Sequence, residues 1–270
     1  SRIISLATWG AWFERLPQSQ LPSLRKAWHA ISYLQGNASR PLFNLLVGHM
    51  YHAEFWATMS SIRTMRQVRA PWRRMPRPGG WQSFICARMR ELNWEFRGPW
   101  MFAHEDLGHV DLSNPDEAVV KLTEHKVRES WRRVQFALWK KQNRRDRHYL
   151  LDVPYEESRV SDARKLFSLT CDSHQRAVML GSAHSTACYD KMRGHEVREQ
   201  CPFCGEQIPP VWEHLSWHCS AEQLSSGRPE VPEDELQNRL AWPTRGCDAY
   251  DRAVLHHMAR VRATVRENMN

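Results

Sequence analysis

The sequence predicts a mainly α-helical protein, a multi-helix bundle with a short β-hairpin and a small cysteine-rich knuckle. Three observations support this fold class. Apolar residues recur at helical spacing along most of the 270 residues. Between residues 94 and 112 they alternate instead, which is typical of strands. Three of the seven cysteines lie between residues 201 and 219, beside histidines.

The helical predictions follow from apolar residues that recur three and four positions apart. In residues 21–35, for example, Leu24, Trp28 and Ile31 share one face, and Gly36 follows the last turn. The other predicted helices cover residues 40–47, a stretch from Ala53 towards Pro71, 81–92, 115 to about 145, 159–170 and 251–267.

The longest helix is expected to begin after a cap at Asn114 and Pro115. Before it, the alternating stretch predicts two or three short strands, with a turn at residues 104–108 (HEDLG). The predicted apolar face of the long helix consists of Val120, Val127, Trp131, Val134 and Leu138.

Stretches rich in Pro, Gly or Ser indicate how the chain is divided. Residues 71–80 (PWRRMPRPGG) have the composition of a linker, and residues 225–235 are predicted to be flexible. We therefore distinguish four segments. They are a helical region at 1–75, a helical connection with the hairpin and a basic helix at 76–152, a helix with the knuckle at 153–224, and a linker with a C-terminal helix at 225–270.

The charge balance favours a polyanionic partner, RNA or DNA. Lys and Arg number 38 against 30 Asp and Glu, which gives a net charge of +8. Lysines and arginines on the helices can bind phosphates and release counterions. The predicted contacts are Arg63, Arg66, Arg69, Arg73, Arg74, Arg132, Arg133, Lys140, Lys141, Arg144 and Arg145.

The sequence shows no sign of membrane insertion or secretion. No apolar run reaches the ~18–20 residues that a bilayer span needs, and no secretory leader opens the chain. We expect an intracellular protein, nuclear or cytoplasmic, without a membrane partner. Because the chain begins at Ser1 rather than at methionine, we also expect it to be a piece of a longer protein, or a processed or trimmed one.

The cysteine-rich segment, residues 201–219, has the spacing of a zinc site. In CPFCG, Cys201 and Cys204 are two residues apart on a tight turn, and Gly205 lets backbone N–H groups point at the sulfurs. Zn²⁺ takes four Cys or His ligands in a tetrahedron, so a second pair must lie nearby. His214 and Cys219 supply it, in the pattern C-x2-C-x9-H-x4-C. With four protein ligands, such a site is structural.

The fourth ligand has one alternative. His214 and His218 are four residues apart and would share a face of an α-helix, so geometry alone leaves His218 open beside Cys219.

Other histidines and tryptophans are interpreted as structural. His174, His184, Cys188 and His195 are loosely spaced and lack a CxxC turn, and the pair His256–His257 is expected at the surface. Tryptophans are expected in the core, with Trp9, Trp12 and Trp72 as the candidates for base stacking.

No catalytic pattern is present in the sequence. A polymerase palm would need paired aspartates for Mg²⁺, and no Asp-Asp dipeptide occurs. There is also no P-loop, GxSxG, HExxH or Rossmann glycine pattern. The one Pro-Asp, at Pro115–Asp116, has no Glu-x-Lys on a strand after it.

Residues 174–219 resemble the C-terminal, post-catalytic region of reverse transcriptases from non-LTR (LINE-type) retrotransposons. The similarity covers a basic helix, a Gly-containing turn and a closing Cys-Cys-His-Cys knuckle, and it favours Cys219 as the fourth ligand. Residues 9–31 and 45–67 are similar to thumb and connecting helices, and residues 79–102 to a further part of the connection. Fingers and palm are absent, and the x9 gap is slightly longer than is usual in the family.

The resemblance implies an accessory region that grips RNA or DNA beside a polymerase core, without a catalytic centre of its own. A zinc-stabilised helical scaffold for protein interactions is the alternative. The two differ in their salt dependence, because phosphate contacts weaken steeply as salt rises.

Overall fold

The computed structural model describes residues 40–47, 55, 58–60, 62–63, 80–98, 100–142, 153–170, 172–244 and 246–269. These residues are mostly helical, with one three-stranded antiparallel sheet, which confirms the predicted class. The predicted helix at 21–35 and the three tryptophans proposed for base stacking lie outside the described residues, as does nearly all of the linker at 71–80. No helix among the described residues is long and apolar enough to cross a membrane.

The described residues form two compact units. The first contains residues 55–138, and the second contains 40–47 together with 139–269. The knuckle and the C-terminal helix belong to the same unit.

The first unit packs helices against a small sheet. Helix α2 (Gly80–Glu91) leads into strands β1 (Glu95–Gly98), β2 (Met101–His104) and β3 (Gly108–Asp111), which pair antiparallel in the order β1-β2-β3. Helix α3 (Glu117–Gln142) follows. The core consists of Phe55, Met59, Ile62, Ile85, Met89, Leu92, Trp94, Phe102, Val110, Leu112, Val127 and Trp131.

Two details of α3 correct the sequence predictions. Asp116, rather than Asn114 or Pro115, caps the helix, because its carboxylate accepts hydrogen bonds from the N–H groups of Ala118 and Val119. Leu138 is 43% exposed, so the predicted apolar face ends before it. A seven-residue apolar repeat drifts slowly around a straight α-helix. Over the 26 residues of α3 it therefore leaves the buried face.

The second unit contains helices, turns and irregular segments, and its described residues include no strand. The predicted helix at 40–47 is confirmed as α1 (Arg40–Val47). The others are α4 (Glu157–Leu169), α5 (Ser173–Met179), α6 (Thr186–Met192), a π-helical turn (His214–His218), α7 (Glu222–Ser225), α8 (Glu235–Leu240) and α9 (Ala249–Glu267).

Polar residues cap the N-termini of several of these helices and so determine where each helix begins. Asp172, Ser185 and Asp234 each accept a hydrogen bond from a backbone N–H of the helix they precede. Helix α9 begins with a capping box, in which Asp248 and Asp251 exchange bonds with each other's backbone. Tryptophans fill the interior as predicted, and Trp139 stacks on Trp242 at 6.0 Å between ring centroids.

The segment at 225–235 was predicted to be flexible, but side-chain bonds hold it. Arg228 donates to the carbonyls of Trp217 and Cys219. Asp234, at the end of the segment, forms an ion pair with Arg159 of α4. The Ser, Gly and Pro residues of the segment at 225–235 reflect its irregular path between two short helices. The polar contacts of Arg228 and Asp234 nevertheless hold this path in place.

Candidate metal centre

The first half of the site is a tight turn at residues 201–206. The N–H of Gly205 donates to the Cys201 carbonyl at 2.9 Å, and the N–H of Cys201 donates to the Glu206 carbonyl at 2.9 Å. Gly205 has a φ of +76°, in the left-handed region that favours glycine. The backbone of Glu206, directly after this glycine, lowers the pKa of the Cys204 thiol.

The second half is the π-helical turn that carries His214. Its closing bond runs from the N–H of Cys219 to the carbonyl of His214, at 2.7 Å, and the backbone becomes extended at Cys219. The wider turn suits ligands five residues apart, whereas an α-helix would align His214 with His218. His218 is exposed at the end of this turn.

These two halves bring four ligand atoms together. The Sγ atoms of Cys201 and Cys219 are 3.9 Å apart, and Cys204 Sγ is 3.5 Å from His214 Nε2. All four ligand atoms lie within 4.8 Å of one another, so the cluster could hold a metal ion. The sulfurs are much farther apart than the ~2.05 Å of a disulfide. His218 is not part of this group.

The ligands are withdrawn from solvent, which affects their protonation. Burial raises the pKa of Cys219 to about 12, with the neighbouring thiols adding to the effect. Burial also lowers the pKa of His214, against the opposing charge of Glu206. Burial raises the pKa of Cys204 too, but hydrogen bonds from the Glu206 N–H and the other two thiols outweigh it and leave the pKa below its ordinary value. A metal therefore finds a neutral imidazole but must displace at least the Cys219 proton.

An apolar layer surrounds the cluster and joins it to the C-terminal helix. Cys201 and Cys219 pack with Leu215 and Leu224, which are fully buried, and with side chains of α9. Those side chains are Val261 and Val265, and Met269, two residues after the end of α9, joins them in the same layer. Helix α9 is thus packed directly on the metal cluster.

His257 was expected at the surface, but it is only 2% exposed. Its Nε2 lies 2.7 Å from the carbonyl of Ser216 in the π-helical turn, and Arg260 donates to its Nδ1 at 3.1 Å. The ring is therefore neutral, with its proton on Nε2. Its spacing from Val261 and Val265, at i+4 and i+8, is the sequence signal that places it on the buried face; its neighbour His256 is exposed.

A pH dependence follows from this arrangement. Burial lowers the pKa of His257 in the folded state, so the unfolded chain binds the proton more readily. The His257 contribution to stability is complete above the ordinary histidine pKa of about 6.5 and is lost as the pH falls below it, with a slope of at most about 1.4 kcal/mol per pH unit.

The measurement is the free energy of unfolding between pH 7 and pH 5 for the wild type and His257→Gln, which keeps a donor for the Ser216 carbonyl. The wild-type curve should fall more steeply than that of the variant. Parallel curves would show that His257 is not a buried neutral histidine.

The second group of histidines does not assemble into a comparable cluster. His184 Nδ1 is 3.5 Å from Cys188 Sγ, but His174 pairs with Arg262 and His195 is exposed. Within the described residues, Cys201, Cys204, His214 and Cys219 are the one group of three or more His, Cys, Asp or Glu side chains close enough for a metal.

Five of the predicted phosphate contacts are described. Arg63 binds Glu124 through two bonds of 2.8 and 3.0 Å, and Arg132 lies 3.3 Å from Glu129. The others lie outside the described residues; they are Arg66, Arg69, Arg73, Arg74, Arg144 and Arg145.

The other three predicted phosphate contacts that the structure describes lie on α3. Arg133 pairs with Asp106 at 2.7 Å, Lys140 donates to the Val153 carbonyl at 2.8 Å, and Lys141 is exposed. The described arginines chosen from the sequence are thus all paired with carboxylates.

Comparison with known proteins identifies no relative. No family model matches the chain, and neither the curated proteins nor the solved structures contain a match.

Proposed function

We propose that the chain is a zinc-stabilised nucleic-acid-binding region, in which the metal organises the fold and arginines elsewhere bind the phosphates. The observation that carries the proposal is the closed Cys3His cluster, which has four protein ligands and therefore no open position for a reactive water.

The spacing of the ligand atoms supports zinc. A tetrahedron with Zn–S bonds of ~2.3 Å and a Zn–N bond of ~2.0 Å has edges of about 3.8 Å between sulfurs and about 3.5 Å between sulfur and nitrogen. Two of the six pairs match these edges, Cys201–Cys219 at 3.9 Å and Cys204–His214 at 3.5 Å, and all pairs lie within 4.8 Å. Three thiolates are soft ligands, which disfavours Mg²⁺ and Ca²⁺.

The distribution of charge supports nucleic-acid binding by the N-terminal half. Residues 1–138 hold 19 Lys and Arg against 11 Asp and Glu, whereas residues 139–270 hold 19 of each. The excess is concentrated in residues 55–90, which contain eight arginines and no acidic residue. A stretch of this kind attracts a phosphate backbone. The metal-bearing half is neutral, so we assign it the role of a scaffold.

We further propose that the chain derives from a retroelement reverse transcriptase. The knuckle spacing and the preceding helix and turn resemble the region that follows the polymerase domain in non-LTR reverse transcriptases. In that setting the chain would hold template RNA or target DNA next to a polymerase core.

The test replaces four arginines of the basic stretch, Arg66, Arg69, Arg73 and Arg74, by glutamine. Binding of a labelled RNA or DNA oligonucleotide is measured by fluorescence anisotropy from 50 to 300 mM salt. If each arginine contacts one phosphate, the slope of log K against log salt should decrease by about 3 to 4.

The matched control removes the same charge from the neutral half at four exposed positions, Lys165, Lys191, Arg252 and Arg266. It should leave the slope nearly unchanged. Absence of binding by the zinc-loaded wild type at 50 mM salt would refute the proposal, and salt-independent capture of a protein partner would favour the scaffold alternative.

A further inference from the structure

Helix α3 carries one arginine for which the structure provides no carboxylate. Arg63, Arg132 and Arg133 each have at least one carboxylate partner, and Glu129 lies within 4 Å of both Arg132 and Arg133. Arg128 lies on the same helix, one turn before Arg132. Within the part of the chain that the structure describes, it forms no ion pair.

The surroundings of Arg128 are unfavourable for an isolated cation. Its Nε atom is buried and has no hydrogen-bond partner among the described residues. Glu124, one turn earlier on α3, is the carboxylate whose charge acts on Arg128, but both of its oxygens are bound by Arg63. Burial lowers the pKa of Arg128, and the charges of Arg132 and Arg63 lower it further against the pull of Glu124.

Such an arrangement costs stability unless an anion completes it. A guanidinium presents planar, paired N–H donors that match a phosphate, and partial burial strengthens the contact. The nearby arginines are held in place by their carboxylates and add a positive field without competing for the anion. The excess charge of this half of the chain, concentrated in residues 55–90, favours a polyanion over an acidic peptide.

We propose that Arg128 is the anchoring phosphate contact of this protein, and that it binds one backbone phosphate of RNA or DNA next to Arg63. The inference rests on the proposed nucleic-acid binding and adds a residue that charge patterning alone does not identify. It also assigns Arg132 and Arg133 a supporting electrostatic role in place of direct contact.

The experiment compares the zinc-loaded wild type with Arg128→Gln and with Lys121→Gln. Lys121 is an exposed cation on the same helix that pairs with Glu117 at 2.8 Å, so it controls for the loss of one charge. Arg128→Gln should weaken oligonucleotide binding about tenfold at 100 mM salt and lower the salt slope by roughly 0.7 to 0.9. Lys121→Gln should change the dissociation constant less than about twofold.

A stability measurement separates binding from folding. Loss of a half-buried, unpaired cation should leave the melting temperature unchanged or raise it. With pyrophosphate as the probe, at constant ionic strength, the wild type should melt at a higher temperature than without it, and Arg128→Gln should lose that increase.

The outcomes distinguish this inference from the proposed function. If the wild type binds nucleic acid and Arg128→Gln binds it like Lys121→Gln, the inference is wrong and the proposed function stands. If Arg128→Gln melts well below the wild type, Arg128 has a structural role and the inference is again wrong. If the zinc-loaded wild type binds no nucleic acid, the proposed function fails and the inference fails with it.

Discussion

Removal of the metal with a chelator is expected to unfold the knuckle and to release helix α9 from it. The turn at residues 201–206 and the π-helical turn are joined by the four ligands and the apolar layer around them, beside one exposed hydrogen bond from Ser220 to Glu206. Without a metal, four ligand groups remain beside leucines and valines, three of them buried and Cys204 partly buried. Zinc binding supplies about 10–16 kcal/mol in small zinc-binding peptides.

Hydrogen exchange measured with and without the chelator reports this effect by segment. Peptides covering residues 201–219 and 249–269 should lose most of their protection together, because α9 contributes Val261 and Val265, and the residue Met269 after it also joins the layer on the ligands. The melting temperature should fall by more than about 10 °C, which corresponds to a loss of several kcal/mol for a unit of this size.

A ligand substitution provides the matched control. Cys219→Ser should reproduce the effect of chelation, because a hydroxyl is a poor zinc ligand at neutral pH. Cys86→Ser changes a cysteine of the first unit that is not in the cluster and should behave like the wild type. Retained protection of residues 249–269 in Cys219→Ser would show that α9 is held independently of the metal.

Replacement of Arg228 by methionine is expected to weaken zinc binding by about 10- to 100-fold, the usual effect of removing a group that supports the ligands. Three thiolates and a neutral imidazole around Zn²⁺ carry a net charge of −1 in an apolar layer. The Arg228 guanidinium is partly buried beside them and donates to the carbonyls of Trp217, at 2.8 Å, and Cys219. Methionine removes both the countercharge and the two bonds.

Competition with a chromophoric zinc chelator gives the dissociation constants. Arg228→Lys keeps the charge but cannot reproduce the planar pair of donors, so it should fall between the wild type and methionine. Arg252→Met, at an exposed position of α9, is the control and should bind zinc normally. Equal affinities for Arg228→Met and Arg252→Met would show that Arg228 only tethers the segment at 225–235.

The long helices and the residues of the Cys3His cluster could be predicted from the sequence because each has a regular pattern. Helix α1 matches its predicted bounds, and α4 and α9 differ from theirs by two residues or fewer. The ligands could be found because thiols two residues apart form a recognisable turn. The structure also places Cys219, and not His218, beside the other three.

Short elements and side-chain partners could not be predicted in the same way. Helices of four to seven residues, such as α6 and α8, contain too few turns for a periodic pattern. The π-helical turn differs from an α-helix by hydrogen bonds that span five residues instead of four. The spacing of apolar residues does not reveal this difference over a single turn. Arg228 and His257 support the site across 9 and 41 residues of sequence, respectively, and only folding brings them together.

The choice of arginines illustrates the same limit. Arg132 and Arg133 were selected because they stand together in a basic helix, yet each has a carboxylate partner in the structure. Arg128 has none among the described residues, although the sequence shows the same charge for all three. Pairing depends on which carboxylates already have partners, and charge counts do not contain that information.

The central claim is that Cys201, Cys204, His214 and Cys219 together bind one zinc ion. Native mass spectrometry of the wild type, His214→Ala and His218→Ala tests it most directly. The account predicts one zinc per chain for the wild type and for His218→Ala, and loss of zinc in His214→Ala. A chain that lacks zinc when purified with the metal present, or one that loses it in His218→Ala and keeps it in His214→Ala, would contradict the account.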